Sequence, residues 1–354
     1  MMLDFIYQAL PARVIFGVGS LKQLPAEVDR IGASRALVLC TPYQRKEAAD
    51  IAALLGSRAI DIYPEAVMHV PVELAERARA ETSRLKIDCL LPIGGGSTTG
   101  LAKAIALSTR LPIVAVPTTY AGSEMTPIWG LTEGDSKKTG RDLNILPKTV
   151  IYDPTLTVTM PVGLSTTSGM NAIAHCVEAL YAENANPIMS LMAEEGIRAL
   201  ATSLPGIVKS PSDLDARGEA LYGAWLGGSV LGAVGMALHH KLCHVLGGTF
   251  NLPHAELHTV ILPHATAFNA KAAPDAMRRI ARALGAAEAA TGLYDLEVAL
   301  GTPTTLSAIG MKREDLDRAA DLAVQNPYYN PRPPTREGIR ALLDDAFEGR
   351  RPRA

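Results

Sequence analysis

Cysteine is scarce in this chain: four in 354 residues, Cys40, Cys89, Cys176 and Cys243, all inside apolar segments and never in CxxC spacing. That pattern argues against a disulfide framework or a zinc knuckle and suits a reducing compartment, so the cytoplasm is the expected location. Runs of five or more basic residues are missing too, and 34 Lys and Arg against 36 Asp and Glu leave a net charge of −2. Nothing in that balance attracts nucleic acid. No stretch of eighteen uninterrupted apolar residues is present, so no membrane-spanning helix and no membrane partner are expected. Asp4 and Gln8 interrupt the first apolar run, which argues against a signal peptide. Internal repeats and low-complexity segments are also lacking.

What remains is a globular composition, 48% hydrophobic and 20% charged, in a chain longer than one ordinary core. Two domains are expected. From Arg13 to Pro154, apolar runs at 35–40, 59–63, 88–93, 112–116 and 149–152 alternate with amphipathic segments at 44–55, 73–86 and 98–108. That alternation predicts a parallel sheet covered on both faces. The polar, turn-rich stretch from Leu131 to Lys148 reads as an excursion such as a hairpin. Beyond Pro161 long apolar-periodic segments dominate, and no strand is expected. The punctuation at Asp153-Pro154 and Met160-Pro161 places the boundary near 155–163. The fold class is therefore an α/β N-terminal domain with a parallel nucleotide-binding sheet (1–160), followed by an all-α C-terminal domain (161–354).

Three consecutive glycines, Gly94, Gly95 and Gly96, stand between a strand and a helix, followed by Ser97, Thr98, Thr99 and Gly100. They let backbone N–H groups approach an anion without Cβ obstruction. The helix that follows offers its positive end to a phosphate, and Ser97 and Thr98 add hydroxyls. The stretch is not G-x-G-x-x-G, because Thr99 stands where the third glycine belongs. The acid expected about twenty positions later is also missing. A tight turn without a ligand would explain the triplet alone. A second polar loop, Pro117 to Glu124, carries Thr118, Thr119 and Ser123 to the same carboxyl edge of the sheet and favours a nucleotide. After the first strand of the alternation, Thr41-Pro42-Tyr43-Gln44-Arg45 holds no acid for ribose hydroxyls. Thr41 and Tyr43 are candidate cofactor contacts there, and weak discrimination between NADH and NADPH is expected.

Six of the eight histidines fall in the 29 residues from Met236 to His264. A helix is read from Met236 to Leu246, ended by Gly247 and Gly248, with a new start at Pro253. His240 and His244 then share one face, a turn apart, and His254 returns to the same space. Core histidines, each satisfied by a carbonyl, are the plain alternative. Burying several imidazoles costs free energy unless each finds a partner, a metal or a substrate. The cluster is therefore read as a functional site.

Together these landmarks resemble the iron-containing alcohol dehydrogenase superfamily, and within it the maleylacetate reductases, over nearly the whole chain. The superfamily's phosphate loop, GGGS-x-x-D-x-AK, is similar to Gly94–Lys103, and its second loop to Pro117–Glu124. Its metal-binding set maps onto Asn171, His175, His240 and His254, with His244 at a position beside the substrate. The string from His239 to His258 and those at 123–130 and 326–333 resemble the reductase branch. The likeness implies the dehydroquinate synthase-like fold and a homodimer. It also implies reduction of maleylacetate to 3-oxoadipate by NADH or NADPH, in the degradation of aromatic compounds, and a cofactor-contacting lysine near Lys138.

Two departures bear on the chemistry. Asn171 replaces an anionic ligand, and Gly100 replaces an aspartate. An amide oxygen is a weaker ligand than a carboxylate for a hard divalent ion. The metal site is therefore expected to be vestigial, with no metal required. His240 and His244 are the expected donors to the developing enolate, while His175, His254 and Lys241 favour the carboxylates of a dicarboxylate substrate and Asn171 can donate through its amide. Lys103, Lys241, Arg332, Cys243 and Trp129 admit structural roles as readily as chemical ones. A metal-dependent alcohol dehydrogenase of the same superfamily and a dehydroquinate synthase-like lyase remain as alternatives.

Overall fold

The computed structural model describes residues 5, 7–10, 12–134, 136–326 and 328–353. Asp4, Asp135, Pro327 and Ala354, which fall within stretches discussed above, lie outside the described residues. The chain forms two compact units, Ala9–Met160 and Pro161–Ala354, and Phe5, Tyr7 and Gln8 cluster with the second.

The first unit runs β1 (Arg13–Phe16), α1 (Leu24–Arg30), β2 (Ala36–Leu39), α2 (Arg45–Ala52), β3 (Ala59–Tyr63), α3 (Val72–Arg84), β4 (Cys89–Gly94), α4 (Gly96–Thr109), β5 (Val114–Pro117), β6 (Ile128–Glu133), β7 (Ser136–Arg141) and β8 (Thr149–Tyr152). Six strands form one sheet in the order β1-β8-β5-β4-β2-β3, every pair parallel. The apolar runs ALVL, VAVP and TVIY are buried along their whole length, as strands covered by helices on both faces must be. The order reverses between β2 and β4, so the loops leaving these two strands flank a crevice at their carboxyl ends. The expected excursion is an antiparallel hairpin of β6 and β7.

The second unit runs α5 (Val162–Ala179), α6 (Pro187–Lys209), α7 (Leu214–Ala233), α8 (Leu238–Phe250), α9 (His254–Asn269), α10 (Pro274–Leu284), α11 (Ala289–Leu300), α12 (Leu316–Ala323) and α13 (Arg336–Glu348). No strand occurs among its described residues. One apolar core joins α8, α9, α12 and α13 through residues such as Leu242, Leu246, Leu257, Ile261, Leu316 and Leu343. No single helix among the described residues is long and apolar enough to cross a membrane.

One boundary differs from the sequence reading. Gly247 and Gly248 do not end α8, which continues to Phe250 and stops at Asn251, in the left-handed conformation at φ 52°. Asparagine tolerates that conformation and takes the helix-terminating position usually given to glycine. Gly247 instead faces the neighbouring helix, where an added Cβ would stand 3.6 Å from Leu257 Cδ2.

Candidate active site

In the first unit the crevice is built from three loops that bond to one another. Thr118 N donates to Gly94 O at 3.0 Å, tying the loop after β5 to the end of β4. Gln44 Nε2 donates to Thr118 Oγ1 at 3.0 Å, and Thr41 Oγ1 donates to Gln44 Oε1 at 3.1 Å, which ties in the loop after β2. A Cβ on Gly95 would lie 2.7 Å from Thr119 Oγ1, so only glycine allows this approach. The triplet also starts α4 early, at Gly96 rather than Thr98, and no side chain caps that N-terminus. Its first N–H groups and helix dipole remain available to an anion such as a phosphate. Thr98 is turned inward, its hydroxyl bonded to Gly95 O at 2.9 Å, whereas Ser97 and Thr119 are half-buried at the loops.

The remaining cofactor candidates scatter. Tyr43 is 98% exposed, and Lys138 pairs with Glu133 across the hairpin on the surface. Ser123 is held by Lys103, whose buried ammonium donates to Ser123 O at 2.6 Å, Thr126 Oγ1 at 2.9 Å and Ile128 O at 2.9 Å. Burial lowers the Lys103 amine to about 7 against the opposing pull of Glu124. Glu124 is itself raised by burial and accepts from the Tyr152 hydroxyl at 2.7 Å. Lys103 is thus an internal staple for the second loop. At Gly100 a Cβ would stand 3.0 Å from Val70 Cγ2, so the superfamily's aspartate would require that loop to shift.

In the second unit α5 presents Asn171, His175 and Glu178 on one face, four and then three residues apart. All three are buried. Glu178 does most to organise the cluster. Its Oε2 accepts from Ala237 N at 2.8 Å and lies within hydrogen-bond distance of His240 Nδ1 at 2.7 Å, and its Oε1 accepts from His239 N at 2.7 Å. Asn330 Oδ1 accepts from Leu238 N at 3.3 Å, and Asn330 is itself locked to Asn269 by bonds of 3.1 and 2.7 Å. The start of α8 is thereby closed by side chains.

On that frame the imidazoles gather. His240 stacks on His175 with ring centroids 5.2 Å apart and meets His244 edge-on at 6.3 Å. It also meets His258 at 5.0 Å, and His258 lies 4.3 Å from His254. The structure therefore brings together His175, His240, His244 and His254 and adds His239 and His258. Those two hydrogen-bond to each other, Nε2 to Nδ1, at 3.0 Å, with Cys243 Sγ 3.8 Å from His239 Nε2. Burial, reinforced by the neighbouring imidazoles, holds His175, His239 and His258 well below the ordinary histidine value. His175 is thus a neutral hydrogen-bonding group and not the electrostatic attractor suggested by the sequence. Three buried atoms of the expected set have no hydrogen-bond partner among the described residues: Asn171 Oδ1, His175 Nδ1 and His240 Nε2. Such orphans call for a ligand.

Other candidates take structural places. The Arg332 guanidinium lies 4.1 Å over the Phe268 ring and donates to Phe268 O at 3.4 Å. Lys241 Nζ stands 5.4 Å over the Tyr328 ring. Trp129 packs within the hairpin, where a Cβ on Gly140 would come within 2.8 Å of its ring.

The family's iron can be tested against these donors. Asn171, His175, His240 and His254 offer one amide oxygen and three imidazoles, with no anion to balance a 2+ charge. Glu178, the carboxylate beside them, is engaged by backbone N–H groups and by the far side of His240. Among the described histidine, cysteine and acidic side chains, ligand atoms within 4.8 Å of one another belong to His239, Cys243 and His258, outside the family's set. The residues present do not fit a firmly held iron.

Residues 11–154 match the family described as Iron-containing alcohol dehydrogenase, and residues 165–347 match that described as Fe-containing alcohol dehydrogenase family, C-terminal. The chain belongs to the iron-containing alcohol dehydrogenase family and is an oxidoreductase. Within that family its likeness is to the maleylacetate reductases. It is 59% identical to maleylacetate reductase of Burkholderia cepacia, over 98% of this chain and 99% of that one. It is 57% identical to maleylacetate reductase of Sphingobium indicum, over 98% of each chain. The crystal structure of maleylacetate reductase from Agrobacterium tumefaciens is 52% identical and matches with a TM-score of 0.96, covering 99% of this chain and 100% of that one.

Proposed function

We propose that this chain reduces the carbon–carbon double bond of maleylacetate, giving 3-oxoadipate, within the degradation of aromatic compounds. The observation that carries this reading is the near full-length likeness to maleylacetate reductases, joined to an amide where a metal site would have an anion. One NAD(P)H and one proton are consumed for each maleylacetate. Bound at the glycine triplet, the dinucleotide supplies the hydride to the alkene carbon β to the ketone. The product of that addition is an enolate, whose charge donors can hold in a water-poor site without a Lewis acid. His240, held at Nδ1 by Glu178 and taking up a second proton at Nε2, is assigned to that charge as an imidazolium, and His240 or His244 supplies the proton to the α carbon. Asn171 can offer an amide N–H to an oxyanion, which a carboxylate cannot do.

No metal is required in this reading. NADH and NADPH both serve, because the loop Thr41–Arg45 after β2 holds no acid to select between ribose hydroxyl and phosphate. The working form is a cytoplasmic homodimer. Four free, buried cysteines support the reducing location, and the open edges of the parallel sheet offer one place to pair. A specific observation favours a second reading, a metal-dependent alcohol dehydrogenase: a carboxylate behind His240 is what metal-ligating histidines commonly have.

One assay separates the two. Oxidation of NADH and of NADPH is followed with maleylacetate, with and without EDTA. Turnover with both cofactors, unchanged by chelation, is expected. Activity that disappears with EDTA and returns with Fe²⁺ or Zn²⁺ would overturn the metal-free mechanism.

A further inference from the structure

We propose that Glu178 is a positioning residue for this reaction, fixing both the orientation and the tautomer of His240 so that Nε2 faces the reacting groups. The inference rests on the function proposed above for its role in turnover, but its geometric part stands alone. Glu178 is fully buried, and a carboxylate in that state persists only with strong, directed partners. Its partners are Ala237 N, His239 N and His240 Nδ1 at 2.7–2.8 Å, with His240 N at 3.5 Å. Backbone N–H groups can only donate, and their convergence on both oxygens, Ala237 N on Oε2 and His239 N on Oε1, favours the ionised carboxylate, an acceptor at each. The proton between Glu178 and His240 therefore belongs on Nδ1.

Two consequences follow for His240. Its ring cannot turn without breaking the 2.7 Å bond and its stack on His175. Its Nε2 is left as the working end, buried and without a partner among the described residues. The anionic carboxylate also sits at the start of α8, where the helix dipole favours negative charge. Asn330 closes the one remaining first-turn donor, Leu238 N, and has no bond to the His240 ring among the described contacts. Both residues cap α8, but only Glu178 also holds the imidazole, which makes the two roles separable by experiment.

The test compares Glu178→Gln with Asn330→Ala in the full-length enzyme and adds ¹⁵N-histidine NMR of the unaltered protein. Glu178→Gln is expected to lower kcat on maleylacetate by about 10–100-fold, the cost known for losing the partner that orients a metal-ligating histidine, carried over to this imidazole. Its Kd for NADH, titrated without substrate, should stay within about twofold of the original, since the triplet is untouched. In the unaltered protein His240 should carry its proton on Nδ1, and Glu178→Gln should disturb that signature. Asn330→Ala should lower Tm, as loss of a helix cap does, yet reduce kcat much less than Glu178→Gln. A neutral His240 whose only proton lies on Nε2 in the unaltered protein overturns the proposal even if Glu178→Gln does not fold. Equal kcat losses in the two variants, or unaltered kcat in Glu178→Gln, overturn it as well. If the unaltered chain were inert toward maleylacetate, the proposed function would fail, and the NMR arm would still decide the role of Glu178.

Discussion

The N-termini of α4 and α8 begin with the same chemistry and end in opposite states. Each presents backbone N–H groups that no helical carbonyl can satisfy. At α4 the preceding residues are glycines, and no side chain caps the helix. At α8 a buried carboxylate and a buried amide occupy the first-turn donors. The first terminus is left for an anion from solution. The second is filled from within, and the same carboxylate is then available to grip an imidazole. An open terminus binds; a filled one aligns. The difference lies in side chains contributed from elsewhere in the chain, not in the helices themselves.

Acid should separate the two regions most strongly. His175, His239, His258 and His264 are all held below the ordinary 6.5, His264 at about 4, mainly by burial. As pH falls through 6.5 the unfolded chain takes up protons before the folded one. Their contribution to stability is therefore complete above 6.5 and is lost progressively on going toward 4. For His264 alone this amounts to roughly 3 kcal/mol, at about 1.4 kcal/mol per pKa unit. Glu297, raised well above its usual value by burial, works in the opposite sense, but as one group against four. In the sheet unit the raised Glu124 also opposes acid destabilisation. Trp225 on α7 and Trp129 on β6 report on the two units separately. The Trp225 signal should depart from its native value at higher pH than that of Trp129, and simultaneous transitions would erase the contrast.

His240→Ala comes next. It should lower kcat on maleylacetate by about 10²–10⁴-fold, the usual span for a proton-transferring group, while Kd for NADH stays unchanged. A variant with near-normal turnover would remove His240 from the chemistry. The smallest effect is at the open terminus. In Gly95→Ala the new Cβ meets Thr119 Oγ1 at 2.7 Å, and overpacking of this kind costs about 1–3 kcal/mol. Dinucleotide affinity should weaken by about tenfold or more, with kcat at saturation far less affected. Unaltered NADH titration would show that the clasp between the two loops has no part in binding.

The sequence disclosed most of the architecture because the signals involved are local. Apolar runs such as ALVL and TVIY announce buried parallel strands, and the polar interval after Trp129 announces the hairpin. The glycine triplet was legible for the same reason, being contiguous. Helix ends were less so: Gly247 and Gly248 look like a stop, yet packing against α9 carries α8 onward to Asn251. The histidine cluster was visible as a concentration, but its bracing was not. Glu178 lies 59 residues from Ala237, and Asn330 lies 92 residues from Leu238, so no periodicity connects them. Gln44, which joins the loops after β2 and β5, reaches Thr118 across 74 positions. The one available hint was that Glu178 shares a helical face with Asn171 and His175. Periodicity shows which side chains share a face but not what they grip across a turn of chain. The string at 326–333 was conspicuous by resemblance, and its Asn330 proves to be a helix cap.

The Lys103 staple has a mechanical consequence. One ammonium grips oxygens from Ser123, Thr126 and Ile128, so the exit of β5 and the root of the β6–β7 hairpin are coupled through one side chain. Any swing of that hairpin must drag Ser123 along or first pull the amine out of its oxygen cage. Residue 103 thus fastens the base of the arm, and Thr132, whose N donates to Val70 O at 3.2 Å, fastens it again farther out.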